Sequence, residues 1–126
     1  MLPGSFDAGK TWQALLRLED PFSVFMAVPT VYNILAKYIK DGKLRDTYLD
    51  EQVKEILLRY RLMVSGSAAL PETQMEEWKE ISGQKLLERF GMTEILMALS
   101  NPYRPIDGRL KGTVGKPLPG VSAALF

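Results

Sequence analysis

Three short apolar runs, the first two each followed by a turn signal and an amphipathic stretch of helical period, constrain this chain more than any other feature. Phe22-Ser23-Val24-Phe25-Met26-Ala27-Val28 is nearly continuously apolar, and Leu62-Met63-Val64 is a second such run. Lys85 to Arg89, around Leu86-Leu87, is a third. A run of this kind suits a strand buried on both faces. Between them lie helical patterns. Asp7 to Leu18 reads as a helix with Asp7 as N-cap and Trp12, Leu15, Leu16 and Leu18 on its apolar face. Pro29-Thr30 opens a second helix, through about Lys40, with Tyr32, Leu35, Ala36 and Ile39 inward, and Asp41-Gly42 stops it. Leu49, Val53, Ile56, Leu57 and Tyr60 mark a third helix over about Leu44 to Tyr60. A fourth runs from Pro71 to about Ser82, burying Met75, Trp78 and Ile81, and ends at Gly83. Strand alternating with helix predicts an α/β domain with parallel strands and right-handed crossovers. In such sheets ligands bind beyond the carboxyl ends of the strands. Two polar segments fall there: Ser65-Gly66-Ser67 after the second strand and Phe90-Gly91-Met92-Thr93-Glu94 after the third. If these strands are neighbours, the two segments share one crevice.

Composition narrows the chemistry. The 126 residues suit one domain, with 46% hydrophobic and 25% charged residues. Sixteen Lys and Arg against fifteen Asp and Glu leave a net charge of +1, no electrostatic case for nucleic acid or an anionic membrane. No apolar run reaches the roughly 18 residues of a membrane span, and no signal peptide is visible. The chain has no cysteine and no histidine. That excludes disulfides, zinc-thiolate sites, thiol nucleophiles, the Ser-His-Asp triad and histidine acid-base chemistry. Catalysis would rest on carboxylates, Lys or Arg, hydroxyls, backbone groups and a carboxylate-bound ion such as magnesium.

The stretch Phe90 to Glu94 meets the needs of a nucleotide site. An aromatic can stack on a base, a glycine lets backbone approach, a threonine can bond a phosphate and a glutamate can hold a divalent metal. Beyond it, Asn101 to Gly108 reads as loop and Lys111 to Gly120 as turn-rich; Val121 to Phe126 reads as a last strand.

Phe90-Gly91-Met92-Thr93-Glu94 resembles the aromatic-Gly-x-Thr-Glu motif of the adenylate-forming enzymes. Three further segments, in the family's order, look like theirs: Ala27-Val28-Pro29-Thr30-Val31-Tyr32, Ser65-Gly66-Ser67-Ala68-Ala69-Leu70-Pro71 and Gly112-Thr113-Val114-Gly115-Lys116-Pro117-Leu118-Pro119-Gly120. Phe25 to Thr30, Arg61 to Pro71 and Leu86 to Ile95 are most similar to the malonate-using branch, the malonyl-CoA synthetases of the acyl-CoA synthetase family member 3 type. The resemblance covers about Pro21 to Leu125. It implies an acid-thiol ligase that uses ATP, passing through AMP, with magnesium and coenzyme A, to activate a carboxylate.

By motif match, Phe90 would stack on adenine, where most relatives carry Tyr. Gly91 and Met92 continue that nucleotide-binding segment. Thr93 would contact the α-phosphate and Glu94 would hold magnesium. Gly66, Ser67 and Ala68 would form a wall of the adenine and acyl pocket. Arg89 would pair with the non-reacting carboxylate of a dicarboxylate substrate. Each residue has a plainer alternative. Thr93-Glu94 could begin a helix, Phe90 could be a core aromatic, Ser65-Gly66-Ser67 could be a simple turn, and Arg89 could be a surface residue. Gly112 to Gly120 reads as structural, shaping a turn.

The family's phosphate loop and its Lys, the ribose-binding Asp, the hinge and the C-terminal domain with its catalytic Lys have no counterpart in these residues. The resemblance therefore implies that residues 1–126 are part of an AMP-binding domain, a central piece of the large N-terminal domain with no internal boundary. The remainder of the enzyme is the expected partner, and the chain alone is expected to be aggregation-prone and without ligase activity. Localisation follows the resemblance to mitochondria, and otherwise is cytoplasmic. The alternatives are a non-catalytic nucleotide-binding or interaction module of the same fold, and a truncated phosphate-loop NTPase.

That last alternative comes from Gly4-Ser5-Phe6-Asp7-Ala8-Gly9-Lys10-Thr11, which matches G-x-x-x-x-G-K-[ST]. The mechanism of that motif needs a strand before the loop, and only Met1-Leu2-Pro3 precede it. The segment reads instead as a turn and an Asp7-capped helix. Lys10→Ala is expected to leave ATP binding unchanged in an equilibrium titration; loss of binding would restore the phosphate-loop reading.

Overall fold

The computed structural model describes residues 6–124. Gly4 and Ser5 of the phosphate-loop match, and Leu125 and Phe126 of the expected last strand, lie outside them. Four helices and five strands follow in the order α1 (Ala8–Leu16), β1 (Val24–Ala27), α2 (Pro29–Lys40), α3 (Asp50–Leu58), β2 (Leu62–Ser65), α4 (Glu72–Ser82), β3 (Leu87–Met92), β4 (Leu96–Ser100) and β5 (Lys116–Pro117). The sheet order is β1-β2-β3-β4-β5. As expected, β1, β2 and β3 are parallel neighbours joined through helices, with Val24 beside Leu62 and Ser65 beside Glu88. The sheet is nevertheless mixed, because β3-β4 and β4-β5 pair antiparallel.

The helix signals worked where capping chemistry was specific. Asp7 caps α1, its carboxylate accepting from the Lys10 N–H at 2.9 Å. Pro29 stands in the first turn of α2, where its missing N–H costs nothing. Gly83 ends α4 at φ 70°, the left-handed position that glycine fills without strain. Val53, Leu57, Met75 and Trp78 all enter the core, and Ile81 packs against it partly buried.

Four expectations are corrected. Helix α1 ends at Leu16, so Leu18 is exposed. The third helix is shorter than Leu44 to Tyr60. Residues 41–47 form turns, and Leu49 stands exposed ahead of the first turn of α3, its N–H donating to Gln52 Oε1 at 2.9 Å. Tyr60 lies past the helix and is buried because its hydroxyl reaches Leu15 O at 2.9 Å. Strand β1 is shorter than Phe22 to Val28 and is not buried on both faces. Phe25 and Ala27 pack against the core, whereas Met26 is 59% exposed. The reason is layering. The helices cover one face, and β1 is an edge strand. No strand forms over residues 121–124; the Gly-rich segment pairs earlier, as β5.

The core is built around aromatics. Trp12 and Trp78 stack with ring centroids 6.0 Å apart, and Tyr32 meets Trp78 edge-on at 4.8 Å. Their polar ends are satisfied. Trp12 Nε1 donates to Leu35 O at 3.1 Å, Tyr32 Oη donates to Val64 O at 2.9 Å and Trp78 Nε1 meets Met63 Sδ at 3.3 Å. Trp78→Ala removes a fully buried ring shared by α1, α2 and β2. It is expected to cost about 3–5 kcal/mol, measured as a lowered midpoint in urea unfolding.

Candidate functional site

The carboxyl ends of β1 and β2 open into a cleft of about 200 Å³ lined by Met26, Ala27, Val28, Val64, Gly66, Ser67 and Arg89. This is where a ligand is expected in a parallel sheet. Gly66 follows β2 directly, and its N–H donates to Ala27 O at 3.4 Å, tying the segment to β1. Ser67 has φ 67°, an unusual left-handed conformation for a residue with a side chain. Ser67 and Ala68 are exposed.

Arg89 enters the cleft from β3. Because Ser65 pairs with Glu88, Arg89 comes level with Gly66. A Cβ added to Gly66 would lie 3.7 Å from Arg89 Cγ, so the glycine leaves ordinary contact room for the arginine stem. The guanidinium reaches across the sheet to Met26, Nη2 to Sδ 3.4 Å. Among the described residues no carboxylate forms an ion pair with it. A partly exposed guanidinium beside small residues, with its fork free of acids, can receive a carboxylate or phosphate oxygen pair.

The segment Phe90 to Glu94 differs from the expected turn. Strand β3 continues through Phe90, Gly91 and Met92 and makes a hairpin with β4 that the chain pattern did not predict. Thr93, Glu94 and Ile95 form the turn, closed by Ile95 N–H to Met92 O at 3.2 Å, and no helix begins there. Register shifts between Phe90 and Gly91, leaving Ala98 as the extra residue of a bulge. Here glycine is required by backbone. A Cβ on Gly91 would fall 2.3 Å from Leu96 O. Phe90 is 42% exposed and so is no core aromatic. The structure thus brings Gly66, Ser67 and Arg89 into one cleft, with Ala68 at its edge. Thr93 and Glu94, on the turn beyond the end of β3, are outside that lining.

Glu94 is an exposed carboxylate on the turn. Magnesium takes one or two protein carboxylates and fills its shell with water and phosphate oxygens, a donor set with which one exposed glutamate is compatible. No group of three or more His, Cys, Asp or Glu converges among the described residues. A larger groove between α2, α3 and α4 faces away from the strand ends. It mixes Lys40, Arg45 and Lys54 with Asp50, Glu51 and Glu80, so its charges converge on no one ligand sign.

Two buried polar residues, Asn101 and Arg109, carry no signal in the sequence. Asn101 lies just past β4, in the loop expected there. Its Nδ2 donates to Glu88 O at 3.2 Å and Thr113 O at 2.7 Å, and its Oδ1 accepts from Leu110 N–H at 2.9 Å. Arg109, 1% exposed, donates to the carbonyls of Pro102 at 3.1 Å, Tyr103 at 2.9 Å and Lys85. No periodic signal marks such residues, because their partners are backbone carbonyls of distant loops and strands.

Glu88 is the buried titratable group nearest the cleft. Burial pushes its carboxyl above the ordinary range, and the Leu70 N–H opposes that only in part. The folded state therefore holds this proton at pH values where the unfolded chain has released it. Stability should fall as pH rises through the window just above the ordinary carboxylate value. Glu88→Gln is expected to flatten that part of a stability-against-pH profile measured by denaturant unfolding.

The family model described as AMP-binding enzyme matches residues 3–126. The chain is 48% identical over 128 residues to the mitochondrial malonate–CoA ligase ACSF3 of Mus musculus, covering 100% of this chain and 21% of that protein. It is 45% identical over 109 residues to the malonate–CoA ligase of Arabidopsis thaliana, covering 86% of this chain and 17% of that protein. Among solved structures, ATP-bound MatB from Rhodopseudomonas palustris is similar at a TM-score of 0.72 and 37% identity, covering 97% of this chain and 21% of that one. A benzoate CoA ligase from Burkholderia xenovorans LB400 is similar at a TM-score of 0.69 and 26% identity, covering 93% and 21%. The chain spans about a fifth of the length of these relatives. With four resembling segments in order, the same fold and a family match over nearly every residue, this chain belongs to the AMP-binding enzyme family.

Proposed function

We propose that this chain supplies the acyl- and adenine-facing wall of an ATP-dependent acyl-CoA synthetase that takes malonate. One observation carries the reading. The Arg89 guanidinium faces the cleft at the carboxyl ends of β1 and β2, beside Gly66 and Ser67, with no acid paired to it among the described residues.

In this reading one carboxylate of malonate attacks the α-phosphorus of ATP, forming malonyl-AMP and releasing pyrophosphate. The thiol sulfur of coenzyme A then attacks the acyl carbon, AMP leaves, and the thiol proton is lost. Arg89 holds the second, non-reacting carboxylate in a charge-assisted fork and so aims the first one. Gly66, Ser67 and Ala68 form the wall against which acyl group and adenine pack, and Phe90 offers its exposed ring face to the base. Gly91 and Met92 carry the strand from Phe90 to the turn. Thr93 would donate to the α-phosphate, and Glu94 would hold magnesium. Magnesium, when bound, supplies charge neutralisation at the phosphate oxygens. The other parts of the catalytic apparatus come from the remainder of a full-length enzyme, residues 1–126 being part of its AMP-binding domain. A mitochondrial location follows the animal relatives, which are named as mitochondrial.

The test is a chimera of Rhodopseudomonas palustris MatB in which this chain replaces the segment it matches. It should make malonyl-CoA from malonate, ATP and coenzyme A. Arg89→Leu should lower kcat/KM for malonate by about 10²-fold while affecting acetate much less. An unchanged preference for malonate over acetate in the variant would remove Arg89 from substrate recognition.

A further inference from the structure

Glu88 stands behind the cleft and controls what surrounds it. Its residue is 3% exposed, and its side chain lies on the helix-packed face of the sheet, opposite to Arg89. Oε1 accepts from the Leu70 N–H at 2.9 Å. Leu70 closes the segment Gly66 to Ala69, whose other end is fastened to β1 through Gly66 N–H and Ala27 O. The wall is therefore slung between β1 and the Glu88 carboxyl. The backbone at Glu88 is itself held, its carbonyl accepting from the Asn101 N–H at 3.1 Å and from Asn101 Nδ2 at 3.2 Å. Within that wall Ser67 keeps its left-handed backbone. Such a conformation persists only where the surroundings over-determine it.

Two further atoms point to Glu88 having a defined state. Glu88 Oε2 and Ser65 Oγ are both buried and without a hydrogen-bond partner, and their residues pair across β2 and β3. A carboxyl that keeps its proton accepts at one oxygen from Leu70 and has an O–H left over on the side of Ser65, to which it is not directly bonded.

We propose that Glu88 is a positioning residue of this pocket. Its carboxyl fastens the Gly66–Ala69 wall to the strand that carries Arg89, so wall and guanidinium keep a fixed spacing. The proposal rests on the reading of the cleft as the carboxylate site. Glutamine keeps the contact, its carbonyl oxygen accepting from the Leu70 N–H. Alanine loses it, and aspartate is one methylene too short to reach.

Two measurements test it. Amide hydrogen exchange on the 126-residue chain should be at least about tenfold faster at Gly66 to Leu70 in Glu88→Ala, with the parent rate retained in Glu88→Gln. In the MatB chimera, Glu88→Ala should raise the KM for malonate about tenfold with a smaller change in kcat, and Glu88→Gln should restore it. Should the alanine variant fail to fold, Glu88→Asp takes its place with the same expectation. Unchanged exchange overturns the brace whatever the kinetics. Faster exchange with an unchanged malonate KM reduces Glu88 to a structural residue and overturns the positioning role. If the parent chimera does not use malonate, the substrate reading fails separately, and faster exchange rescued by glutamine still establishes the brace.

Discussion

Everything in this chain hangs on the aromatic cluster of Trp12, Tyr32 and Trp78. Each ring belongs to a different helix, and each polar end is bonded to another element, so the cluster joins α1, α2 and α4 to one another and to β2. Rings of this size bury large apolar area at the cost of few rotamers, and an unmet indole N–H or phenol O–H inside would undo much of that gain. The hydroxyl of Tyr32 on Val64 O and the indole of Trp78 on Met63 set the height of the helix layer on the sheet. That in turn sets where β2 ends and the segment after it begins.

The cleft is a consequence of that layering. Helices pack on one face of β1 and β2, so alternate residues divide sharply. Phe25 and Met63 face the core, while Met26, Val64 and Arg89 face the open side. The same alternation splits β3, where Glu88 goes inward and accepts from the Leu70 N–H and Arg89 goes outward to the cleft. Adjacent residues of one strand thereby serve opposite faces of the sheet. Beyond them Gly91 admits the close approach of β4, and the turn at Thr93 and Glu94 is carried outward on the hairpin.

Legibility followed the range of the physics. Asp7, Pro29 and Gly83 act within a turn of their own position, and each did in the fold what its chemistry implied. The core positions Trp12, Tyr32, Leu35, Val53, Leu57, Met75 and Trp78 follow a periodicity that any helix on a sheet must show. The helix expected from Leu44 failed because residues 41–47 take turn conformations that apolar spacing does not register. The β3-β4 hairpin was missed because its turn, Thr93-Glu94-Ile95, lacks the Asn-Gly or Asp-Gly signal of a tight hairpin. One crevice for Ser65-Gly66-Ser67 and Phe90 to Glu94 holds only for the first segment: Gly66 and Ser67 line the cleft with Arg89, and no residue from Phe90 to Glu94 does.

The sequence by itself determined the α/β alternation, the parallel start of the sheet, the family and the chemical types available, since local periodicity, capping and the absence of histidine and cysteine are all properties of the chain read in order. Only the tertiary structure decided that β1 is an edge with an open face, that β3 runs on into an antiparallel hairpin, and that Glu88, Asn101 and Arg109 are buried. The physical reason is that these outcomes depend on which distant backbone groups need partners. Asn101 and Arg109 answer carbonyls on strands and loops far away in sequence, and Glu88 answers an amide 18 residues before it. Such pairings exist only after the sheet has assembled.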